Sequence, residues 1–171
     1  MDFALPADLV AYLAELDQFI AREIKPIEEA DDNIRFFDHR REWARTDFEN
    51  GGLPRHEWEA LLRKAKNLAD DAGHLRFAIP KRYGGKDGSN LWMAVIREHF
   101  ASKGLGLHND LQDESSIVDN FPIIPALAEY GTDEQKTYIE GIITGKKHLS
   151  FALTEPGHGS DATWLETAGA R

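Results

Sequence analysis

The sequence contains no cysteine. That removes disulfides, thiolate metal sites, iron–sulfur clusters and cysteine nucleophiles together. No run approaches the roughly 18 consecutive apolar residues of a membrane-spanning helix. Residues Met1 to Pro6 show no basic stretch leading into an apolar one, so no secretory signal is read there. Basic charge is scarce as well, with 20 Lys and Arg against 30 Asp and Glu and a net charge of −10. Non-specific nucleic-acid binding draws its affinity from phosphate neutralisation, which suits such a chain poorly. A phosphate loop of the form G-x-x-x-x-G-K-[ST] is missing. Gly104-Leu105-Gly106 supplies only the first two glycines of a dinucleotide fingerprint, and no strand precedes it. The seven histidines include no i, i+4 pair, and His56-Glu57 lacks the second histidine of H-E-x-x-H. Asp110, Asp113 and Glu114 suit the start of a helix better than a metal or acid–base centre. No metal site is expected.

What is present is a chain of 171 residues, enough for one domain or for one domain and part of another. It reads as soluble and cytoplasmic, or as a mitochondrial matrix protein if the source is eukaryotic. Charge is uneven: residues 1–50 carry 13 acids and 6 bases, whereas residues 51–100 carry 6 and 9. The run Arg40-Arg41…Arg45 lies among Asp38, Glu42, Asp47 and Glu49 and reads as a solvated, salt-bridged face.

Helical periodicity dominates. Leu9, Val10, Leu13, Leu16, Phe19, Ile20 and Ile24 form an apolar stripe on a helix entered near Pro6 and disturbed at Pro26. Asp31 to Gly52 is a polar excursion, partly helical, carrying Phe36, Phe37, Trp43 and Phe48. A second helix follows Pro54, with Trp58, Leu61, Leu62, Ala65, Leu68 and Ala72 inward and Gly73 past its end. A breaker-rich loop over 79–88 precedes a helix capped by Ser89 or Asn90, with Trp92, Val95, Ile96 and Phe100 inward. Ile117, Val118, Phe121, Ile124 and Leu127 predict another helix, bent at Pro122 and Pro125 and ended by Gly131. Thr132-Asp133-Glu134-Gln135 is a capping box opening a helix through Tyr138, Ile139, Ile142 and Ile143 to Gly145. The period then changes to two: Leu149, Phe151 and Leu153 alternate with Ser150, Ala152 and Thr154, as in a short strand. Trp164 to Ala168 is a candidate for the start of another.

The chemically informative stretch is Phe151-Ala152-Leu153-Thr154-Glu155-Pro156-Gly157-His158-Gly159-Ser160-Asp161. Two physical readings stand side by side. It is an ordinary turn ending a strand, or it is a concavity of backbone N–H groups and a hydroxyl suited to an anion such as a phosphate.

This stretch resembles the F-A-L-T-E-P-x-x-G-S-D signature of the acyl-CoA dehydrogenases, FAD enzymes that oxidise acyl-CoA thioesters. Pro80-Lys81-Arg82-Tyr83-Gly84-Gly85 resembles the family's P-x-x-y-G-G loop. Gly131-Thr132-Asp133-Glu134-Gln135-Lys136 resembles its G-x-x-x-Q-K helix. All three occur in the family's order. The resemblance implies a mainly α fold, with an all-helical N-terminal domain over residues 1–147 and the first strands of an incomplete central β domain over 148–171. It implies FAD as cofactor, with Phe151, Leu153 and Thr154 on the flavin side. Gly159 and Ser160 would meet FAD, and Ser160 the CoA portion of the substrate too, while the segment Leu107–Leu127 would help wall the acyl chain. The implied reaction is α,β-dehydrogenation of an acyl-CoA to a trans-2-enoyl-CoA. Electrons would pass to electron-transfer flavoprotein or a similar acceptor, and a full-length enzyme would form a homotetramer. The family's catalytic glutamate belongs to its C-terminal part, so no catalytic residue is assigned here. A colourless, inactive fragment of a longer enzyme is expected. The alternative is a non-catalytic helical acyl-CoA-binding or partner subunit of a split dehydrogenase.

Overall fold

The computed structural model describes residues 4–112, 123–147 and 153–169. Helix α1 spans Ala7–Phe19 and buries Leu9, Tyr12, Leu13, Leu16 and Phe19. Val10, placed by its spacing on the inward stripe, points out and is 51% exposed. The stripe is narrower than the sequence suggested, and Tyr12 takes the flank opposite Val10.

Pro26 has no N–H to return to the preceding turn. The chain answers with a single π-turn over Ile20–Ile24, in which the Lys25 N–H reaches back to the Ile20 carbonyl, before α2 (Lys25–Glu29) resumes.

The excursion expected over 31–52 ends in a short antiparallel hairpin, closed by Leu53–Pro54 just past it, that the sequence did not disclose. Its strands β1 (Thr46–Asp47) and β2 (Leu53–Pro54) pair Thr46 with Pro54 and Asp47 with Leu53. Earlier in the excursion Asp31 and Asp32 both take left-handed backbone conformations, with φ of 52° and 58°. Arg35 stabilises them by donating from one guanidinium nitrogen to both of their carbonyls, at 3.1 and 3.0 Å.

Helix α3 (His56–Asp71) buries Leu61, Ala65 and Ala69. It ends in a Schellman arrangement, with His74 N–H on the Ala69 carbonyl, Gly73 N–H on the Asp70 carbonyl, and Gly73 at φ 76°. Ser89, rather than Asn90, caps α4 (Asn90–Ala101) by accepting the Trp92 N–H at 3.3 Å. A single 3-10 turn, Leu107–Asp110, follows. Helix α5 covers Ile123–Tyr130, and the part of the expected helix before it lies outside the described residues.

The capping box forms as read. The Thr132 hydroxyl accepts the Gln135 N–H at 3.2 Å and the Gln135 side chain accepts the Thr132 N–H at 2.8 Å. The helix it opens is nevertheless broken into α6 (Asp133–Lys136) and α7 (Ile139–Ile143).

Two apolar clusters organise these elements. The larger gathers α1, α3, α4, Phe36, Leu75, Phe77, Leu107 and Leu111. The smaller gathers Ile79, Ile124, Ala128, Ile139 and Ile143. Arg76 joins them, donating to Asp70 at 2.6 and 2.8 Å, to Glu140 twice at 2.9 Å, and to the Tyr83 carbonyl at 3.0 Å. The fold is mainly α, as expected. Among the described residues no helix is long and apolar enough to cross a membrane.

Candidate functional site

The signature stretch is described from Leu153 onward. Phe151 lies outside the described residues, as does most of the expected strand. Pro156-Gly157 forms the tip of a two-residue turn whose neck is a reciprocal backbone pair. The Glu155 N–H donates to the His158 carbonyl at 3.0 Å, and the His158 N–H to the Glu155 carbonyl at 3.1 Å. Downstream, Asp161 caps a 3-10 turn over Ala162–Trp164, accepting the Thr163 N–H at 3.2 Å and its hydroxyl at 2.5 Å. Trp164 therefore closes a turn where a second strand was expected, and residues 165–169 form no strand.

Of the residues expected to meet the cofactor, Leu153, Thr154, Gly159 and Ser160 share this one exposed segment. The N–H groups of Gly157, Gly159 and Ser160 donate to no acceptor among the described residues. Neither Gly157 nor Gly159 has a positive φ, and a Cβ built on either meets nothing within 4 Å. Gly85 and Gly88 are different: an added Cβ would lie 1.7 Å from the Ile79 carbonyl oxygen and 2.1 Å from the Phe77 ring. There the fold itself requires glycine, whereas at 157 and 159 the described chain does not. What the turn presents is three N–H groups with no acceptor among the described residues and the Ser160 hydroxyl, on an open backbone.

The side chain of Glu155 was missed by sequence reasoning. It accepts the N–H of Glu166 at 2.9 Å and of Thr167 at 2.8 Å. These bonds, first to Glu166 and then to Thr167, hold its carboxyl below the ordinary range. Only the glutamate's place inside the signature could have drawn attention to it.

The segment expected to wall an acyl chain is partly committed elsewhere. Leu107 and Leu111 are fully buried in the larger cluster, Ile124 lies in the smaller one, and residues 113–122 fall outside the described part. An open groove of about 540 Å³ lies on another face, bordered by Tyr12, Phe77, Lys86 and Trp92, and none of the expected cofactor residues lines it. Asp110 sits on the 3-10 turn, while Asp113 and Glu114 are not described. Among the described residues no three His, Asp or Glu side chains are grouped to hold a metal ion.

A family model described as the N-terminal domain of acyl-CoA dehydrogenase matches residues 34–146. The chain is 40% identical over 120 residues to the caffeyl-CoA reductase-Etf complex subunit CarC of Acetobacterium woodii, an alignment covering 70% of this chain and 28% of the relative. It is 32% identical over 137 residues to the mitochondrial long-chain specific acyl-CoA dehydrogenase of Sus scrofa, covering 74% and 29%. Against the 3-(aryl)acrylate reductase of Clostridium sporogenes it is 41% identical over 105 residues, covering 60% and 26%. The matched parts thus span under a third of the length of these relatives. No solved structure matches the chain.

Proposed function

Because the chain belongs to the acyl-CoA dehydrogenase family, we propose that it provides the helical N-terminal part and the ligand-facing turn of a flavoenzyme acting on the α,β-bond of an acyl-CoA thioester. Residues 1–147 form the helical part in this reading, and 148–171 open the β domain. The observation that supports it is the turn at 153–160, where glycines that packing of the described residues does not demand sit beside N–H groups with no acceptor among those residues.

FAD, when bound, supplies the hydride acceptor for the β-carbon. The chain's own part is to bind and orient. Gly159 and Ser160 hold a diphosphate oxygen through N–H groups and the Ser160 hydroxyl, and Ser160 also reaches the CoA portion. Leu153 offers an apolar contact and Thr154 a hydroxyl to the flavin side, with Phe151 preceding them. Orientation of this kind matters because the acyl α,β-carbons must meet the flavin within a narrow range of distance and angle. The proton-abstracting carboxylate is assigned to no residue of this chain.

Two of the relatives quoted above carry the name reductase, and both are more identical to this chain than the pig dehydrogenase is. That favours a second reading, in which the same site reduces an enoyl-CoA and the acceptor becomes the donor. Binding groups serve either direction equally, since both run through one transition state. An electron-transfer flavoprotein is the proposed redox partner in either case, supported by the Etf complex in the name of the Acetobacterium relative. Assembly of the enzyme as a homotetramer and residence in the cytoplasm or mitochondrial matrix complete the proposal.

The test is to purify the protein that carries this chain and record its visible spectrum with acyl-CoA and with enoyl-CoA. Absorbance at about 450 nm that is bleached by an acyl-CoA supports the first direction. Bleached flavin reoxidised by an enoyl-CoA supports the second, and a protein that takes up no flavin overturns both. Gly159→Ala should leave stability within about 0.5 kcal/mol, as an open surface position allows, while weakening flavin retention.

A further inference from the structure

Resting on the reading of the 153–160 turn as the face that meets a diphosphate, a second question is what holds that turn in shape. Its hydrogen-bonded neck, the pair between Glu155 and His158, is the smallest possible and would fray alone. We propose that Glu155 is the positioning residue of this turn, its carboxylate tying the turn to residues 166–167 so that the N–H groups of Gly157, Gly159 and Ser160 remain available to a diphosphate ligand.

Three observations carry this. First, the backbone and side chain of Glu155 act in different places: the backbone pairs with His158, and the side chain grips the N–H groups of Glu166 and Thr167 at 2.9 and 2.8 Å, eleven and twelve residues on. One residue therefore closes both the small turn and the larger loop around it. Second, both oxygens of the carboxylate are engaged within the chain. Here each oxygen takes one backbone N–H, with Oε2 on Glu166 and Oε1 on Thr167. Bonds of this charged type are roughly twice as strong as neutral ones. Third, the same two segments also approach where His158 Nε2 lies 3.7 Å from a carboxylate oxygen of Glu166. Asp161, the other acid of the signature, is spent on capping its own turn, leaving Glu155 as the signature's acid that reaches residues 166–167 among the described contacts.

The experiment uses the 171-residue chain and inorganic pyrophosphate, followed by amide NMR, with Glu155→Gln and Glu155→Asp compared to the parent. Glutamine keeps the length but has one acceptor oxygen, and aspartate keeps the charge but is shorter. The expected result is that pyrophosphate shifts the amides of Gly157, Gly159 and Ser160 in the parent. Glu155→Gln should weaken that binding at least fivefold and speed exchange at Glu166 and Thr167 about tenfold, leaving the thermal midpoint of the helical part unchanged. Glu155→Asp should recover part of the affinity. Equal pyrophosphate affinity in parent and Glu155→Gln overturns the proposal, as does a parent whose turn amides do not respond. A loss of affinity that tracks a lowered thermal midpoint overturns it too, by making the role merely structural. A silent parent also removes the diphosphate reading of the turn, whereas equal affinity in parent and Glu155→Gln removes only the role of Glu155; flavin binding itself is decided by the visible spectrum.

Discussion

Glu28, His74, His108 and Gln112 are buried polar residues in a helical interior. Glu28 accepts the Leu107 N–H at 2.7 Å and the Lys25 ammonium at 2.5 Å, so its charge has partners. His74 meets the Tyr12 hydroxyl at 3.2 Å and lies between the Tyr12 and Phe19 rings. His108 is within 3.1 Å of the Gly104 carbonyl through Nε2, while Nδ1 has no hydrogen-bond partner among the described residues. Burial, the largest influence on each, pushes both histidines below their ordinary pKa of 6.5. Such a group binds its proton less readily when folded than in the unfolded chain, where it does so below about pH 6.5. More protons are then bound by the unfolded state, so stability falls as pH drops through that value. Urea midpoints should accordingly be lower at pH 5.5 than at pH 7.5. Replacing both histidines by glutamine should flatten that difference, and an unchanged slope would show that other groups cause it.

At the level of elements, the two capped helices differ in what their caps support. Helix α4 has twelve residues and buries Met93, Ile96 and Phe100, so its cap is coupled to the larger cluster. Helix α6 has four residues, none buried. Loss of an N-cap hydroxyl costs about 1 kcal/mol where the helix is held by packing. Ser89→Ala should therefore lower global stability by about that amount. Thr132→Ala should leave the thermal midpoint in place and only speed exchange at the Gln135 amide, by about fivefold. Calorimetry on the first and amide exchange on the second check this, and a global loss from Thr132→Ala would contradict the assignment of α6 as a locally held turn. Arg45 shows a different kind of element-level effect. It lies over the Phe37 and Trp58 rings, at 5.1 and 4.5 Å, and donates to the Phe36 carbonyl, fastening the 31–52 excursion to α3. Its neighbours Arg40 and Arg41 do form the exposed acid–base face expected of all three.

At the scale of the whole molecule, two apolar clusters meet through Arg76, whose side chain is 16% exposed and grips Asp70 and Glu140 together. Removing it leaves two carboxylates without their shared partner, at a cost on the order of 1–3 kcal/mol. Arg76→Met should therefore quicken amide exchange in α5 and α7 more than in α1, and uniform acceleration would show that the clusters open as one unit. The extent to which this molecule is legible in its sequence follows from the reach of each signal. The starts of α1, α3 and α4, the glycine past α3 at 73, the capping box at 132–135 and the helix disturbance at Pro26 were readable, because spacing and backbone chemistry within a few residues determine them. The resemblance carried by the 151–161 signature was readable for the same reason. Tertiary structure alone decided that Val10 turns outward, that a hairpin interrupts the excursion and that Arg45 leaves its charged neighbours for two aromatic rings. It alone set Glu28 against the Leu107 N–H, 79 residues away, and sent the Glu155 carboxylate to residues 166 and 167. These are choices between partners far apart in the chain, and packing and desolvation make them only when the segments meet.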